Sequence, residues 1–245
     1  MSSGDAGHWT SVAKALANEV TVITYDRRGN SRSPRPPGWT ATSIDEQADD
    51  AAGLLHALNL APSVVVGTSA GANILSKLVL RHPGALRGAV FHEPAYPSVS
   101  SNPDAVRAGR QALVEEGMVK GGFPAVMELF LRGVAGAETF ASLDPQLRER
   151  LLLNGDVFFG LEMAALLGYL PAPGQLGQVR LPCVVTAGAD NRDPAAASHW
   201  RYEASQWLAA QLGTSLVEMP GAHMPYLTQP EAFAAHLRPL LDKLT

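Results

Sequence analysis

Five residues, Gly67-Thr68-Ser69-Ala70-Gly71, carry the clearest chemistry in the chain. They follow the apolar run Ser63–Gly67 and open an amphipathic stretch from about Ala70 to Arg81, so Ser69 falls on a strand-to-helix turn. Small residues two before and two after let the flanking segments pass each other, and the turn strains the middle residue so that its side chain projects alone. At the positive end of a helix dipole, such a hydroxyl stands where an oxyanion can be stabilised. A serine is a weak nucleophile until a base takes its proton. Of the seven histidines, His56 and His199 fall in helical patterns, His82 precedes a proline at a helix end and His8 lies near the start. His223 differs: Pro220-Gly221-Ala222-His223 directly follows the last apolar run, in a loop at the edge where parallel sheets gather catalytic groups. His92, which also ends a strand at this edge, is the fallback base.

The elements that must position these residues are strands alternating with helices. Val20–Tyr25, Ser63–Gly67, Gly88–His92, Pro182–Ala187 and Thr214–Met219 are mostly continuous apolar runs, as expected of parallel strands covered on both faces. Ser43 and Glu46 form a capping box before a helix whose apolar face is Ile44, Ala48, Ala51, Leu55 and Leu58. Ile74, Leu75, Leu78 and Val79 give the helix after Ser69 its buried face, and Phe233, Leu237 and Leu241 mark a closing helix. Between about Pro94 and Arg180 the rhythm changes to helical patterns alone, around Ala105–Glu116, Pro124–Leu131, Pro145–Leu153 and Val157–Tyr169. This stretch reads as a helical lid inserted into one domain: residues 1–93 and 181–245 form the core and 94–180 the lid. Phe158, Phe159, Met163, Leu167 and Tyr169 are candidates to bind an apolar substrate.

Composition agrees. At 245 residues, 46% hydrophobic and 17% charged, the chain can bury a large core. Its 19 Lys and Arg against 23 Asp and Glu leave a net charge of −4 and no basic stripe, which disfavours nucleic acid or an anionic membrane as partner. The single cysteine, Cys183, can form neither an intrachain disulfide nor a metal cluster. No apolar run approaches the roughly 18 residues of a membrane span, and Met1 to Asp5 lack the features of a signal peptide. The expectation is a cytoplasmic monomer or homodimer acting on a small molecule, without metal or cofactor.

Taken together, Ser69 in its turn, a helical insertion and a downstream His223 resemble the α/β-hydrolase family. Trp9 to Leu16 is similar to the family's first helix. Tyr25-Asp26-Arg27-Arg28-Gly29-Asn30-Ser31-Arg32-Ser33 is similar to its Asp-x-Arg-Gly-x-Gly-x-Ser turn, with Ser31 where glycine is usual. Pro220 to His223 followed by Pro230-Glu231-Ala232-Phe233 resembles its C-terminal signature. The resemblance implies a three-layer α/β/α sandwich and a third group orienting His223. The family commonly places that acid three residues after the glycine that ends the strand at Gly188, where this chain has Asn191; Asp190 lies one early and Asp193 two late. Some relatives carry it after the preceding strand, where this chain has Glu93. Asp190 is favoured over Glu93, with both kept open.

The resemblance also implies strands ahead of the first helix, the last of them supplying one oxyanion N–H, with the other from Ala70. Counting back from Trp9, Ser2 falls at that donor position and the preceding strands are absent. Either the natural start lies upstream, or the protein manages without them. The expected function is hydrolysis of an ester, thioester or related acyl bond through an acyl-enzyme on Ser69. The rivals are a lyase or cofactor-free reaction at the same Ser/His pair, and a noncatalytic relative.

Overall fold

A computed structural model of the chain describes residues 4–244. Four strands, β1 (Ser63–Thr68), β2 (Leu86–His92), β3 (Cys183–Gly188) and β4 (Leu216–Met219), form a sheet in the order β1-β2-β3-β4. Every pairing is parallel, with Thr68 opposite His92, His92 opposite Thr186 and Gly188 opposite Met219. The four C-terminal strand ends therefore share one edge.

Alternation along the strands sends side chains to two separate cores. Val65, Ala89, Phe91, Val185 and Leu216 face α2 (Ile44–Ala57), α3 (Ala70–Arg81) and α10 (His199–Leu212). Val64, Val66, Val90, Val184 and Val217 face α1 (Thr10–Leu16) and α12 (Pro230–Asp242), where Val12, Leu16, Phe233 and Leu237 close the layer. This is the expected three-layer sandwich. The buried face of α3 is the one its apolar spacing predicts, Ile74, Leu75, Leu78 and Val79. Ser43 caps α2 by accepting from the Glu46 N–H at 3.1 Å. The Glu46 carboxylate does not complete the box; it accepts from Trp39 Nε1 at 2.9 Å and Thr42 Oγ1 at 2.7 Å instead.

Between β2 and β3 runs the helical insertion: α4 (Pro103–Gly121), α5 (Phe123–Ala135), α6 (Ala137–Ser142), α7 (Pro145–Leu153), α8 (Gly155–Val157), a π-helical turn (Phe158–Glu162) and α9 (Met163–Leu167). Its apolar side, including Met127, Leu131, Phe140, Leu151 and Leu166, packs on Ala70 and Ile74 at the start of α3. Two polar ties fix it there. Asn73 donates to the carbonyls of Ala95 and Leu166, both at 2.8 Å. The 25–33 loop reaches the insertion through an ion pair between Arg27 and the buried Glu162, which also accepts from Asn30 Nδ2 at 2.9 Å.

One expected strand is absent from the ladder. Residues 20–25 run without strand pairing, and a cleft of about 610 Å³ lined by Val20 to Tyr25 and by Ser63 to Val66 separates them from β1. A β-branched run becomes a strand only where another backbone lies alongside to accept its hydrogen bonds. Among the described residues no helix is long and apolar enough to cross a membrane. The short α11 (Pro225–Thr228) links the loop after β4 to α12.

Candidate active site

Ser69 leaves β1 with φ 53° and ψ −127°, in the left-handed half of backbone space that a serine rarely adopts. The turn is held by the Ser69 N–H donating to the His92 carbonyl at 2.9 Å, and by its own carbonyl accepting from Ala72 at 2.8 Å. Gly67 makes the fold-back feasible: a Cβ there would meet the Gly71 carbonyl oxygen at 2.5 Å. Ser69 is 6% exposed, and the Ala70 N–H sits at the first position of α3.

Glu93 follows the end of β2 with φ 45°, and its N–H donates to the Thr186 carbonyl at 3.0 Å. Its carboxylate is buried and fully engaged. Oε1 accepts from the Gly188 N–H at 2.9 Å and Asn191 Nδ2 at 2.7 Å, while Oε2 lies 2.6 Å from Nδ1 of His223. Burial alone works to raise the Glu93 pKa. The His223 hydrogen bond, the His223 and His92 rings and the Asn191 amide outweigh it and hold the carboxyl below its ordinary range. Glu93 is therefore an anion around neutral pH.

His223 stands on the loop after β4, brought over the sheet edge because Gly188 has no side chain. A Cβ at Gly188 would lie 2.3 Å from the Ala222 carbonyl oxygen. Burial is the main cause that pulls the imidazole pKa down, and the Arg201 charge adds to it against the opposing pull of Glu93. The ring is consequently neutral near pH 7. The Glu93 contact assigns its proton to Nδ1 and leaves the lone pair on Nε2, which is buried and makes no hydrogen bond among the described residues.

The sequence-based candidates separate accordingly. The carboxylate bonded to His223 is Glu93, whereas the favoured Asp190 is exposed beyond β3, its N–H donating to the Gly221 carbonyl at 3.1 Å. Asn191, at the position where the family commonly carries the acid, serves the Glu93 carboxylate as a donor. His92 is committed elsewhere, with Nδ1 2.9 Å from Thr186 Oγ1 and its ring edge-on to Phe233. Ser2 lies outside the described residues.

A cavity of about 490 Å³ opens on Ser69 and Ala70 and runs beneath the insertion. Phe158, Phe159, Met163 and Leu167 line it. Tyr169 does not: past the end of α9 its ring packs on the α2–α3 core, with Lys77 Nζ 5.7 Å from the ring centre. Two further lining residues, Arg110 and Arg201, escaped sequence reasoning. Their only sequence signal is position: Arg201 opens the helix after the β3 loop, at the edge where ligands collect. Among the described residues no three His, Cys, Asp or Glu side chains converge where a metal ion could sit.

An all-parallel sheet covered by helices on both faces, with Ser, Glu and His raised from three of its strand ends, is an α/β sandwich whose polar site lies where such sheets bind ligands. A sequence model described as the alpha/beta hydrolase family matches residues 2–236, and the chain belongs to that family. Among similar proteins, the uncharacterized hydrolase YraK of Bacillus subtilis is 32% identical over 244 residues, covering 98% of this chain and 86% of the relative. A zearalenone hydrolase of Bionectria ochroleuca is 25% identical over 230 residues, covering 93% and 82%. The fold matches that of a thermophilic esterase from Thermogutta terrifontis with a TM-score of 0.75 at 22% identity, covering 98% of this chain and 86% of that one.

Proposed function

We propose that this chain is a serine hydrolase that cleaves an ester, thioester or related acyl bond of a small, largely apolar substrate through an acyl-enzyme. The observation that carries the reading is the 2.6 Å contact between His223 and a buried, ionised Glu93, which leaves Nε2 of a neutral imidazole as a proton acceptor. Ser69 Oγ attacks the carbonyl carbon as Nε2 takes its proton, and the Ala70 N–H donates to the developing oxyanion. Glu93 stabilises the imidazolium without accepting its proton. His223 then protonates the leaving group, and in the second half it deprotonates the water that releases the acid. The insertion acts as a lid, its aromatic lining offering apolar surface to the acyl chain. Relatives whose names include hydrolase and esterase support the general class.

The test is labelling with a fluorophosphonate at neutral pH, with aryl esters as substrates. Modification of Ser69, abolished in Ser69→Ala, together with ester turnover is the expected result. Labelling without turnover of any ester points to a lyase-type reaction, and absence of both to a noncatalytic relative.

A further inference from the structure

Arg201 is placed against every ordinary preference of an arginine. It is 8% exposed, and it sits in the first turn of α10, the end of a helix where the dipole disfavours a cation. Among the described residues no carboxylate pairs with it: Nη1 donates to Ser198 Oγ at 2.8 Å, the guanidinium lies 4.2 Å from the Trp200 ring centre, and Nε is buried with no hydrogen-bond partner there. Glu93, whose charge it feels, is already spent on His223, Asn191 and Gly188. Burial pulls the guanidinium down to about 10 despite that charge. Other buried or half-buried arginines find acids, Arg27 with Glu162, Arg28 with Asp50 and Arg150 with Asp5.

Arg110 on α4 is only partly buried, but it lines the same cavity and makes no hydrogen bond or ion pair among the described residues. Among the described residues the cavity walls carry two cations and not one Asp or Glu. A buried charge without a counter-charge is costly, and such a cost persists where a ligand removes it.

We propose that the substrate carries a free carboxylate besides the bond that is cleaved, and that Arg201, assisted by Arg110 from the lid, binds it. This rests on the serine-hydrolase reading above and names its substrate class: half-esters or half-thioesters of apolar dicarboxylic acids. One nine-tenths-buried guanidinium matches the single charge of a carboxylate, and the remaining walls suit a methylene chain. The acyl C–O bond of the half-ester, or the acyl C–S bond of the half-thioester, breaks; the leaving oxygen or sulfur takes a proton through His223, and water supplies the hydroxyl of the new acid, so that a dicarboxylate and an alcohol or thiol result.

The experiment compares mono-4-nitrophenyl esters of dicarboxylic acids, from succinate to suberate, with the same esters carrying a terminal carboxamide. At the preferred length the carboxylate should raise kcat/KM about 30-fold or more, mainly through KM, because a site built for an ion rejects the neutral isostere. Arg201→Gln should reduce that ratio to within about 3-fold of unity, Arg201→Lys should keep part of it, and Arg110→Gln should lower it less. Should Arg201→Gln not fold, the unmodified protein still decides: monomethyl adipate, and not its terminal amide, should slow fluorophosphonate labelling of Ser69. A ratio near unity at every length, in protein whose Ser69 labels and whose neutral esters turn over, overturns the carboxylate inference and spares the hydrolase reading. Absence of both labelling and turnover overturns that reading, and the inference with it.

Discussion

Ser69 and Glu93 leave neighbouring parallel strands through the same rare backbone, φ 53° and 45°, and are tied together by the Ser69 N–H donating to the carbonyl of His92, the residue before Glu93. Each such residue costs on the order of 1–3 kcal/mol. Two adjacent strand ends thus spend stability to lift a hydroxyl and a carboxylate above the same edge. Ser69→Ala should lower kcat by about 10⁴-fold or more while leaving Tm within a few degrees, since the hydroxyl supports no packing in α3. Ester kinetics and a thermal melt on the same sample check both halves.

The two carboxylates at this edge should separate sharply. Glu93→Gln keeps the shape but removes the charge that stabilises the imidazolium and fixes its tautomer, so kcat should fall by about 10⁴-fold. Asp190→Asn, at an exposed position, should change it by less than about 2-fold. Equal losses in both variants would return the orienting role to the β3 loop.

What sequence can see here is periodicity and local turn chemistry. The apolar spacing of α3, the small residues around Ser69 and the position of His223 are all local, and they place the elements and two of the three polar groups. The choice between Glu93 and Asp190 is not local. Both follow strand ends, and only the approach of the His223 loop over Gly188 decides which one the ring meets. Residues 20–25 have the composition of a strand, but pairing depends on a neighbour that composition cannot reveal. Tyr169 continues the insertion's aromatic pattern in sequence, yet it follows Gly168, where the chain has left α9 and turned toward the α2–α3 core. Arg201 looks like a solvated helical cation until its burial is known.

Acid should act on the site through His223. Its pKa is depressed in the folded protein, so the unfolded chain binds the proton more readily below the ordinary value of 6.5, and stability declines as pH falls from there. Glu93 adds a further loss below its ordinary 4.5, because its folded value is also depressed. The acid limb of kcat/KM should accordingly lie well under pH 6.5. Arg201, Glu93 and His92 act on the ring, and removing the Arg201 cation should move that limb to higher pH. A pH–rate profile of Arg201→Gln beside the unmodified protein tests the sign.

The Arg27–Glu162 pair should prove to be a fastening of the helical insertion with no part in bond cleavage. Both side chains are buried, and replacing Glu162 takes away the carboxylate that pairs with the buried Arg27 guanidinium and accepts from Asn30. Glu162→Ala should therefore cost about 3–5 kcal/mol, whereas a double replacement by apolar residues of similar volume should restore much of it. Denaturant unfolding of the two variants measures the difference.

Gly188 offers a way to displace His223 without touching its chemistry. A methyl group there would press on the Ala222 carbonyl oxygen from 2.3 Å and on that of Gly221 from 2.6 Å, both backbone atoms of the loop that carries the histidine. The loop has to yield, and His223 moves with it, while the cavity lined by Phe158, Phe159 and Met163 lies on other elements and keeps its shape. Misplacing a catalytic group by about 1 Å costs on the order of 10² in rate, and overpacking costs about 1–3 kcal/mol. Gly188→Ala should therefore lower kcat by about 100-fold with KM changed little, and slow labelling of Ser69 by a fluorophosphonate in proportion. A rise in KM at constant kcat would mean that the β3 edge shapes the substrate cavity and leaves the base in place.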